Sequence, residues 1–287
     1  MPATYHTRKR RLEARVFRVL MLASVLVIAA SLGAILWSIV SKGIRSLNWE
    51  MITQVPGGGF YIGKGGGILN AILGSLYISL GSVVLGLGIS VPAVLYLNAY
   101  SRQKTWFAGL ARLVFDVLFG IPSIVYGAFG FTVMVVLGLK TSLLAGIVTV
   151  TLMIVPILAR AMDEVVRLAP PELSDATYSL GATRWETAQV LLRQSLPGIL
   201  TAILLAFGRA IGDAATVLFT AGYTDSVPTS LNQPAATLPL AIFFQLSSPM
   251  AAVQNRAYAA AIILTVIVLA ISLTGKFLQQ WLSRHRI

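Results

Sequence analysis

Residues 170–199 read PPELSDATYSLGATRWETAQVLLRQSLPGI, an island of charged and helix-capping residues between two long apolar segments. Pro170 ends the apolar segment before it, and Pro171 suits the first turn of a new helix because no backbone N–H is needed there. Glu172 is well placed for the positive end of that helix's dipole. Gly181 can adopt the left-handed conformation that ends a helix. The island therefore begins with a short helix that stops at Gly181.

A second helix is predicted to begin immediately after this glycine. Thr183 and Glu186 have the spacing of a capping box, in which each side chain hydrogen-bonds the backbone N–H of the other residue. An apolar face is expected on each helix: Leu173, Ala176, Thr177 and Leu180 on the first, and Trp185, Ala188 and Leu192 on the second. Two short amphipathic helices that meet at a glycine form a protruding elbow.

The charges of this elbow bear on what it contacts. A helix that lies on lipid headgroups is rich in Lys and Arg on its polar face. The elbow instead carries both signs of charge, on Glu172, Asp175, Arg184, Glu186 and Arg193. Mixed charge favours docking to a soluble protein over an interfacial hairpin on the membrane surface.

Composition indicates that the chain is a membrane protein. Of its 287 residues, 56% are hydrophobic and 11% are charged, whereas about a quarter of the residues of a soluble domain are charged. There is no cysteine, and the two histidines, His6 and His285, lie in the terminal tails. We therefore expect no catalytic residue, no metal site and no cofactor bound by this chain. The net charge of +12 lies mostly beside apolar segments, which argues against a nucleic-acid partner.

Six apolar runs have the length of roughly 20 residues that is needed to cross a bilayer. They predict an all-α polytopic fold with six transmembrane helices, near residues 19–40, 69–97, 107–138, 142–159, 198–221 and 257–275. An even number of spans puts both termini on the same side. Sixteen of the 22 Lys and Arg residues fall on that side, and such residues accumulate in cytoplasmic loops. Both tails and the elbow are predicted to be cytoplasmic.

These spans divide the chain into consecutive regions. They are a basic cytoplasmic tail (1–18), a first transmembrane anchor (19–40), a glycine-rich external loop (41–67), a core of five transmembrane helices (68–281) and a second cytoplasmic tail (282–287). Within the core, the elbow belongs to a cytoplasmic loop of residues 160–197, and residues 222–256 form an external loop. The anchor has the basic head of a secretory signal, but its apolar run exceeds the roughly 7 to 15 residues of such a signal.

The external loop contains GGGFYIGKGGG, in which Gly58, Gly63 and Lys64 imitate the beginning of a phosphate-binding P-loop. A P-loop needs Ser or Thr after the Lys to hold magnesium, and it needs a preceding strand and a following helix. Here Gly65 follows the Lys, and a membrane span comes next. The loop is therefore predicted to be a flexible linker rather than an ATP site.

Two charged residues lie within the predicted fifth span. Arg209 and Asp213 are four residues apart and therefore share one helix face. A lone charge at the centre of a membrane helix costs about 2.5 to 3.5 kcal/mol, so such residues usually face a protein interior or a water-filled path. One interpretation is a structural ion pair. The other is a substrate path, in which Arg209 offers planar donors to a tetrahedral oxyanion and Asp213 competes for those donors.

Other polar and helix-breaking residues lie in the second and third spans. Arg112 and Asp116 are also four residues apart, and they are expected to form a local ion pair or to reach towards the lipid headgroups. Pro92 and Pro122 each remove a backbone donor. Each proline is therefore expected to open the hydrogen-bond ladder of its span.

Several motifs resemble those of one family. DATYSLGATRWETAQVLL in the elbow is similar to the EAA loop of ATP-binding-cassette importer permeases, with Asp175, Ala176 and Thr177 at the Glu-Ala-Ala positions and Gly181 in register. Further segments resemble phosphate-importer permeases of the PstA family: GISVPAVLYLNAY (88–100), GIPSIVYG (120–127), GRAIGDAATVLFTAG (208–222), LPLAIF (238–243) and SSP (247–249). Asp213 stands where that family typically has Glu.

The resemblance implies a type I importer permease fold in a prokaryotic inner (plasma) membrane. It implies a subunit that is not itself an enzyme, with ATP and Mg²⁺ bound by separate ATPase subunits. In that family the loop inserts into a groove on the ATPase, which implies coupling roles for Glu172, Asp175, Ala176, Gly181, Thr183 and Trp185. The implied partners are a second phosphate permease (PstC-like), two copies of the ATPase (PstB-like), an external phosphate-binding protein (PstS-like) and membrane lipid.

Two alternatives remain open at this point. In the first alternative, the chain is a permease of the same build for another oxyanion or polar solute. In the second, it is a self-sufficient secondary transporter or channel. Competition by arsenate, sulfate and molybdate tests the first alternative. Movement of phosphate in liposomes without ATP or partners tests the second.

Overall fold

The computed structural model describes residues 3–57, 65–100 and 106–283. In this part of the chain the fold is all-α, as predicted, with connecting loops and one isolated bridge between Pro56 and Gly66. A 3₁₀ turn (Ile44–Ser46) follows the first helix, and a π-helical turn (Tyr96–Tyr100) follows the third. The helices are α1 (Ala3–Gly43), α2 (Trp49–Thr53), α3 (Leu69–Leu95), α4 (Trp106–Phe119), α5 (Ser123–Val136), α6 (Leu143–Arg167), α7 (Pro171–Ser179), α8 (Arg184–Gly212), α9 (Leu238–Leu246) and α10 (Ala251–Ser283).

Some sequence-based predictions fall outside the described residues. They concern Gly58, Gly63 and Lys64 of the P-loop look-alike and four basic residues that contribute to the predicted orientation, namely Arg102, Lys104, Arg284 and Arg286. The described flanks of the glycine-rich loop are well packed. Met51 of α2 is buried, and its C=O accepts the N–H of Ile68 at 2.9 Å.

Five helices of the described chain, α1, α3, α6, α8 and α10, are each long and apolar enough to cross a membrane. The pair α4 and α5 passes the same test together but is bent by 97°, so counting this pair as one broken span gives the predicted six. The third span is therefore not one continuous helix over residues 107–138. Pro122 directly precedes α5, as expected for a break, whereas α3 continues through Pro92 to Leu95. The fourth span runs on from residue 159 to Arg167.

Helix α8 departs most from the prediction. The sequence predicts a short second elbow helix and a separate span over residues 198–221, but α8 is one helix that passes Pro197 and ends at Gly212. It ends there because the Asp213 carboxylate accepts the N–H of Thr216 at 2.7 Å, in a local turn that competes with the helical bond. An apolar run alone does not reveal such a turn, since residues 214–221 are as apolar as a helix interior.

The chain between α8 and α9, residues 213–237, covers the beginning of α6. The first N–H groups of any helix have no partner inside the helix. At α6 they donate to carbonyls of the 213–237 segment: Ser142 to Thr220 at 3.0 Å, Leu143 to Gln233 at 2.7 Å and Leu144 to Leu231 at 2.9 Å. The segment and α6 therefore satisfy each other's backbone groups.

Helix α3 packs closely against α6, the 213–237 segment and the first residue of α9 through small residues. Glycine and serine at a helix interface let two backbones approach. The contacts are Gly74 against Ala236, Ser75 Oγ accepting the N–H of Leu238 at 2.7 Å, and Ser82 Oγ donating to the C=O of Ile147 at 3.0 Å. This side of α3 is the central packing surface of the fold.

The C-terminal end of α1 contacts α10 near Tyr258. Gly43 packs against the backbone of Tyr258, where a Cβ would lie 2.6 Å from the carbonyl carbon. The Lys42 ammonium lies 4.9 Å from the centre of the Tyr258 ring. The apolar stretch of α1 is not buried against the described chain, which suits a helix surrounded by lipid or by another subunit.

Replacing Gly74 tests the packing of α3, with Gly88 of the same helix as the control. A Cβ at Gly74 would collide with the backbone C=O of Ala236, which cannot rotate aside as a side chain can. We expect Gly74→Ala to destabilise the chain by about 1–3 kcal/mol, the usual effect of overpacking. A Cβ at Gly88 meets nothing within 4 Å, so Gly88→Ala should be neutral or slightly stabilising. Thermal unfolding in detergent measures both, and equal unfolding temperatures would contradict this packing.

Candidate functional site

Arg209 lies in the last turn of α8, and Asp213 is the first residue beyond the helix. The prediction that both lie inside one continuous helix is therefore wrong for Asp213. Arg209 Nη2 and Asp213 Oδ1 are 3.4 Å apart, while Asp213 Oδ2 accepts the N–H of Thr216 at 2.7 Å. The Asp213 side chain is 4% exposed and that of Arg209 is 50% exposed. One buried carboxylate thus holds the turn and faces a half-exposed guanidinium.

The contact between Arg209 and Asp213 is loose. Charge-assisted N–H···O bonds are about 2.7–2.9 Å long, and Arg often makes two of them to one carboxylate. Within the described residues, the 3.4 Å contact is the one ion pair or hydrogen bond of the Arg209 side chain. Most of its five donors therefore remain available to a ligand.

The turn after α8 is also fixed by Thr216, which the sequence alone does not single out. Its side chain is fully buried, and its Oγ1 donates to the C=O of Ser123 at 3.3 Å. Gly127 allows close approach on the same side, since a Cβ there would lie 2.6 Å from the C=O oxygen of Ala215. The beginning of α5, directly after the bend in the third span, therefore supports the turn that holds Asp213.

The elbow has the predicted local geometry at its corner. Gly181 has a φ of +80°, the left-handed conformation expected of it. Thr183 Oγ1 accepts the N–H of Glu186 at 3.3 Å, and the Glu186 carboxylate accepts the N–H of Thr183 at 2.7 Å, so the predicted capping box is confirmed. The hydroxyls of Thr177 and Thr187 lie 3.1 Å apart and join α7 to α8.

The surface of the elbow is largely open. The six residues with an implied coupling role are all exposed: Glu172, Asp175, Ala176, Gly181, Thr183 and Trp185. Two of the exposed side chains are large and apolar, since Leu180 is 89% exposed and Trp185 is 55% exposed. The predicted apolar face of α7 is only half correct, because Leu173 and Thr177 turn inward while Ala176 and Leu180 do not.

Arg112 and Asp116 do not pair with each other, contrary to the prediction. Arg112 of α4 binds Asp163 of α6 through Nε to Oδ2 at 2.8 Å, and Asp116 binds Arg160 of α6 at 3.2 Å. Both residues of α4 therefore face α6, where each meets an opposite charge. Asp163 stands out in the sequence as an acidic residue shortly before the elbow, but its partner depends on how α4 crosses α6.

The described residues contain no candidate metal centre. No three His, Cys, Asp or Glu side chains of this part of the chain lie close enough together to hold a metal ion. Three of the ion pairs in this part of the chain, Arg209–Asp213, Arg112–Asp163 and Arg160–Asp116, each join one cation to one carboxylate. Such an arrangement suits the binding of an anion or the joining of helices.

Substitutions of Asp213 separate its two contacts. Asp213→Asn retains an oxygen that can accept the N–H of Thr216, so the variant should unfold at nearly the wild-type temperature. Asp213→Ala leaves that buried N–H without a partner, which should reduce stability by about 1–3 kcal/mol. Thermal unfolding of the purified variants measures the difference. Equal destabilisation by both substitutions would mean that the negative charge, and not the turn, is what the fold requires.

Comparison with known proteins relates these features to a family. Residues 88–287 match the family described as "Binding-protein-dependent transport system inner membrane component". The "Phosphate transport system permease protein PstA" of Yersinia pestis is 36% identical over 271 residues, which cover 93% of this chain and 90% of the relative. A Mycobacterium bovis protein named PstA 2 is 32% identical over 271 residues, with 92% and 87% covered.

A solved structure shares the fold of the chain. The MetNI methionine ABC transporter in an inward-facing conformation matches with a TM-score of 0.61 and 22% identity, over 75% of this chain and 95% of the matched one. The fold is therefore that of an ABC importer permease subunit. This fold and the sequence matches lead to one conclusion. The chain belongs to the binding-protein-dependent transport system inner membrane components and, among them, to the PstA permeases.

Proposed function

We propose that this chain is the transmembrane permease subunit of an ATP-driven phosphate importer and forms half of its translocation path. The observation that carries the proposal is the half-exposed Arg209, which lies at an interruption of an apolar helix and is held by one 3.4 Å contact to Asp213. A charged group in such a position usually faces a protein interior or a water-filled path, and the half-exposed side chain favours the path. The names of the PstA relatives as phosphate transport permeases support phosphate as the anion.

The chemistry of Arg209 suits transient binding of phosphate. Its guanidinium offers planar donors that match two oxygens of a tetrahedral oxyanion. Two neighbours weaken this binding: the carboxylate of Asp213, and the C-terminal end of α8, where the helix dipole is negative. An anion is therefore attracted by one group and repelled by its surroundings. A path that must release its substrate needs this balance.

The elbow is proposed to dock into a groove on the ATPase subunit. Exposed Leu180 and Trp185 supply apolar contact area, while Glu172, Asp175 and Arg184 supply charges that select the partner.

Closure of the ATPases on ATP then moves the elbow and rocks the spans, so that Arg209 faces the two sides of the membrane in turn. This chain is non-catalytic in the proposal, and ATP and Mg²⁺ are bound by the ATPase subunits.

The proposed assembly contains further subunits. A second, PstC-like permease completes the path, two PstB-like ATPases drive it, and an external PstS-like binding protein delivers phosphate. The distribution of Lys and Arg supports an orientation with both termini and the elbow in the cytoplasm of a prokaryotic cell.

Arg209→Ala tests the substrate path. In proteoliposomes that contain the complete complex, this variant should lower ATP-dependent phosphate uptake by at least about 30-fold. The reason is that the bound phosphate would lose a charged partner that contributes about 2 kcal/mol or more. Arg45→Ala, which removes an exposed arginine from another part of the chain, should transport normally. Uptake of labelled phosphate by matched amounts of assembled complex is the measurement.

The same assay distinguishes the alternatives. Normal uptake by Arg209→Ala would remove Arg209 from the path. Stronger inhibition of uptake by sulfate, molybdate or arsenate than by unlabelled phosphate would assign another oxyanion. Phosphate movement by the purified chain alone, without ATP, would make it a secondary transporter or channel.

Ala176→Arg tests the docking of the elbow. Ala176 is exposed on α7, so a long charged side chain there should leave the fold intact but hold the ATPase surface away. We expect the variant to reach the membrane normally and to lose the ATPase subunit during affinity purification. Ala176→Ser adds one small group and should retain the ATPase. Equal recovery of the ATPase with both variants would exclude this face of the elbow from the interface.

A further inference from the structure

Asp163 lies at the centre of a buried polar cluster. Its side chain is 1% exposed, its Oδ2 accepts Arg112 Nε at 2.8 Å, and its Oδ1 accepts Arg112 Nη2 at 3.2 Å and Asn98 Nδ2 at 2.7 Å. The three residues belong to α6, to α4 and to the π-helical turn after α3. One carboxylate therefore joins three elements, although none of these residues belongs to the Arg209 site or to the exposed surface of the elbow.

The cluster lies close to the elbow along the chain. Asp163 is one turn before the end of α6 at Arg167, and α7 begins four residues later at Pro171. A cavity of about 480 Å³ separates α7 from Asn98, and it is lined on the α7 side by Ser174, Asp175 and Tyr178. Because of this cavity, movement of the elbow reaches Asn98 through the end of α6 and through α8, both of which contact the π-helical turn, rather than through direct packing of α7.

Helix α4 connects the cluster to the Arg209 site. It carries Arg112, and it leads through the 97° bend directly into α5. At the beginning of α5 the C=O of Ser123 accepts the hydroxyl of Thr216, in the turn that holds Asp213. A displacement of α4 therefore moves the support of that turn.

We propose that Arg112, Asp163 and Asn98 are positioning residues, which transmit movement of the elbow through α4 to the turn that holds Asp213 and Arg209. This inference rests on the proposed function as an ATP-driven importer. The cluster also has the groups needed for two arrangements, since Asn98 Oδ1 is buried without a hydrogen-bond partner in the described chain. When α4 shifts, the guanidinium can donate to this oxygen while it still contacts Asp163.

A second ion pair between α4 and α6 supplies a matched control. Arg160 Nε and Asp116 Oδ1 are 3.2 Å apart, and their side chains are 40% and 48% exposed. Neither side chain of this pair is buried against the described chain, and its single 3.2 Å contact fixes the two helices less firmly than two donors on one carboxylate. A buried carboxylate that loses its partner is strongly unfavourable by comparison. Transmission is therefore assigned to the buried pair and not to the exposed one.

The test uses the complete complex in proteoliposomes and three measurements: ATP hydrolysis, phosphate uptake and a chemical reporter beside the path. The chain has no cysteine, and a Cβ at Gly212 meets nothing within 4 Å, so Gly212→Cys introduces a single thiol next to Asp213. With the cluster intact, ATP should change the rate at which a maleimide labels this thiol. The label on this chain is read after the subunits are separated by electrophoresis.

Arg112→Ala in this background should hydrolyse ATP at nearly the unsubstituted rate. Its phosphate uptake should fall by about tenfold, a common size for the coupling between two sites, and the ATP-dependent change in labelling should disappear. Arg112→Lys keeps the charge without the paired donors and should give intermediate uptake. Arg160→Ala should match the unsubstituted complex in all three measurements. An unchanged ratio of phosphate transported to ATP hydrolysed in Arg112→Ala would overturn the inference.

A further variant covers the case in which Arg112→Ala does not assemble. Asn98→Ala removes the uncharged member of the cluster and should also lower the ratio of transport to hydrolysis. Full coupling in both Asn98→Ala and Arg112→Lys would overturn the inference while leaving the proposed function intact. Failure of the unsubstituted complex to take up phosphate with ATP would instead contradict the proposed function itself.

Discussion

A backbone N–H or C=O inside a membrane must find its partner within the protein, and this constraint governs the interruption after α8. The Asp213 carboxylate takes the N–H of Thr216, and carbonyls farther along the 213–237 segment take the first N–H groups of α6. The chain can therefore leave the helix at Gly212 while these backbone groups stay paired. Arg209 lies in the last turn before this interruption, and its side chain is half-exposed.

The carboxylate of Asp213 serves two purposes that limit each other. Its Oδ2 accepts the backbone N–H of Thr216, and its Oδ1 lies 3.4 Å from Arg209 Nη2. A shorter, paired contact would satisfy the arginine and leave fewer donors for an anion. A side chain of this length suits the turn because Asp readily accepts the N–H of a residue two or three positions ahead. The turn thus uses one of the two oxygens that a paired contact with Arg209 would need.

Local features of the sequence were predictable because their partners are close in the chain. The capping box of Thr183 and Glu186 and the left-handed Gly181 depend on residues within one or two turns, and the spans depend on the length of apolar runs. The end of α8 was not predictable, since the residues after Asp213 are apolar and the competing turn has no periodic signature. The pairing of Arg112 with Asp163 was missed for a different reason: spacing alone favours Asp116, whereas the crossing of α4 over α6 decides the partner.

The kind of contact at Asp163 matters for the transfer of movement between helices. Interdigitated apolar side chains resist displacement, but their contacts have no fixed direction. A buried carboxylate with two donors from one guanidinium has a fixed geometry, and breaking the contact leaves a buried charge without its partner. The 97° bend between α4 and α5 then changes the direction of the motion. In the proposed coupling, a shift of α4 along its axis becomes a sideways shift of α5, and the bond between Ser123 and Thr216 passes that shift to the turn.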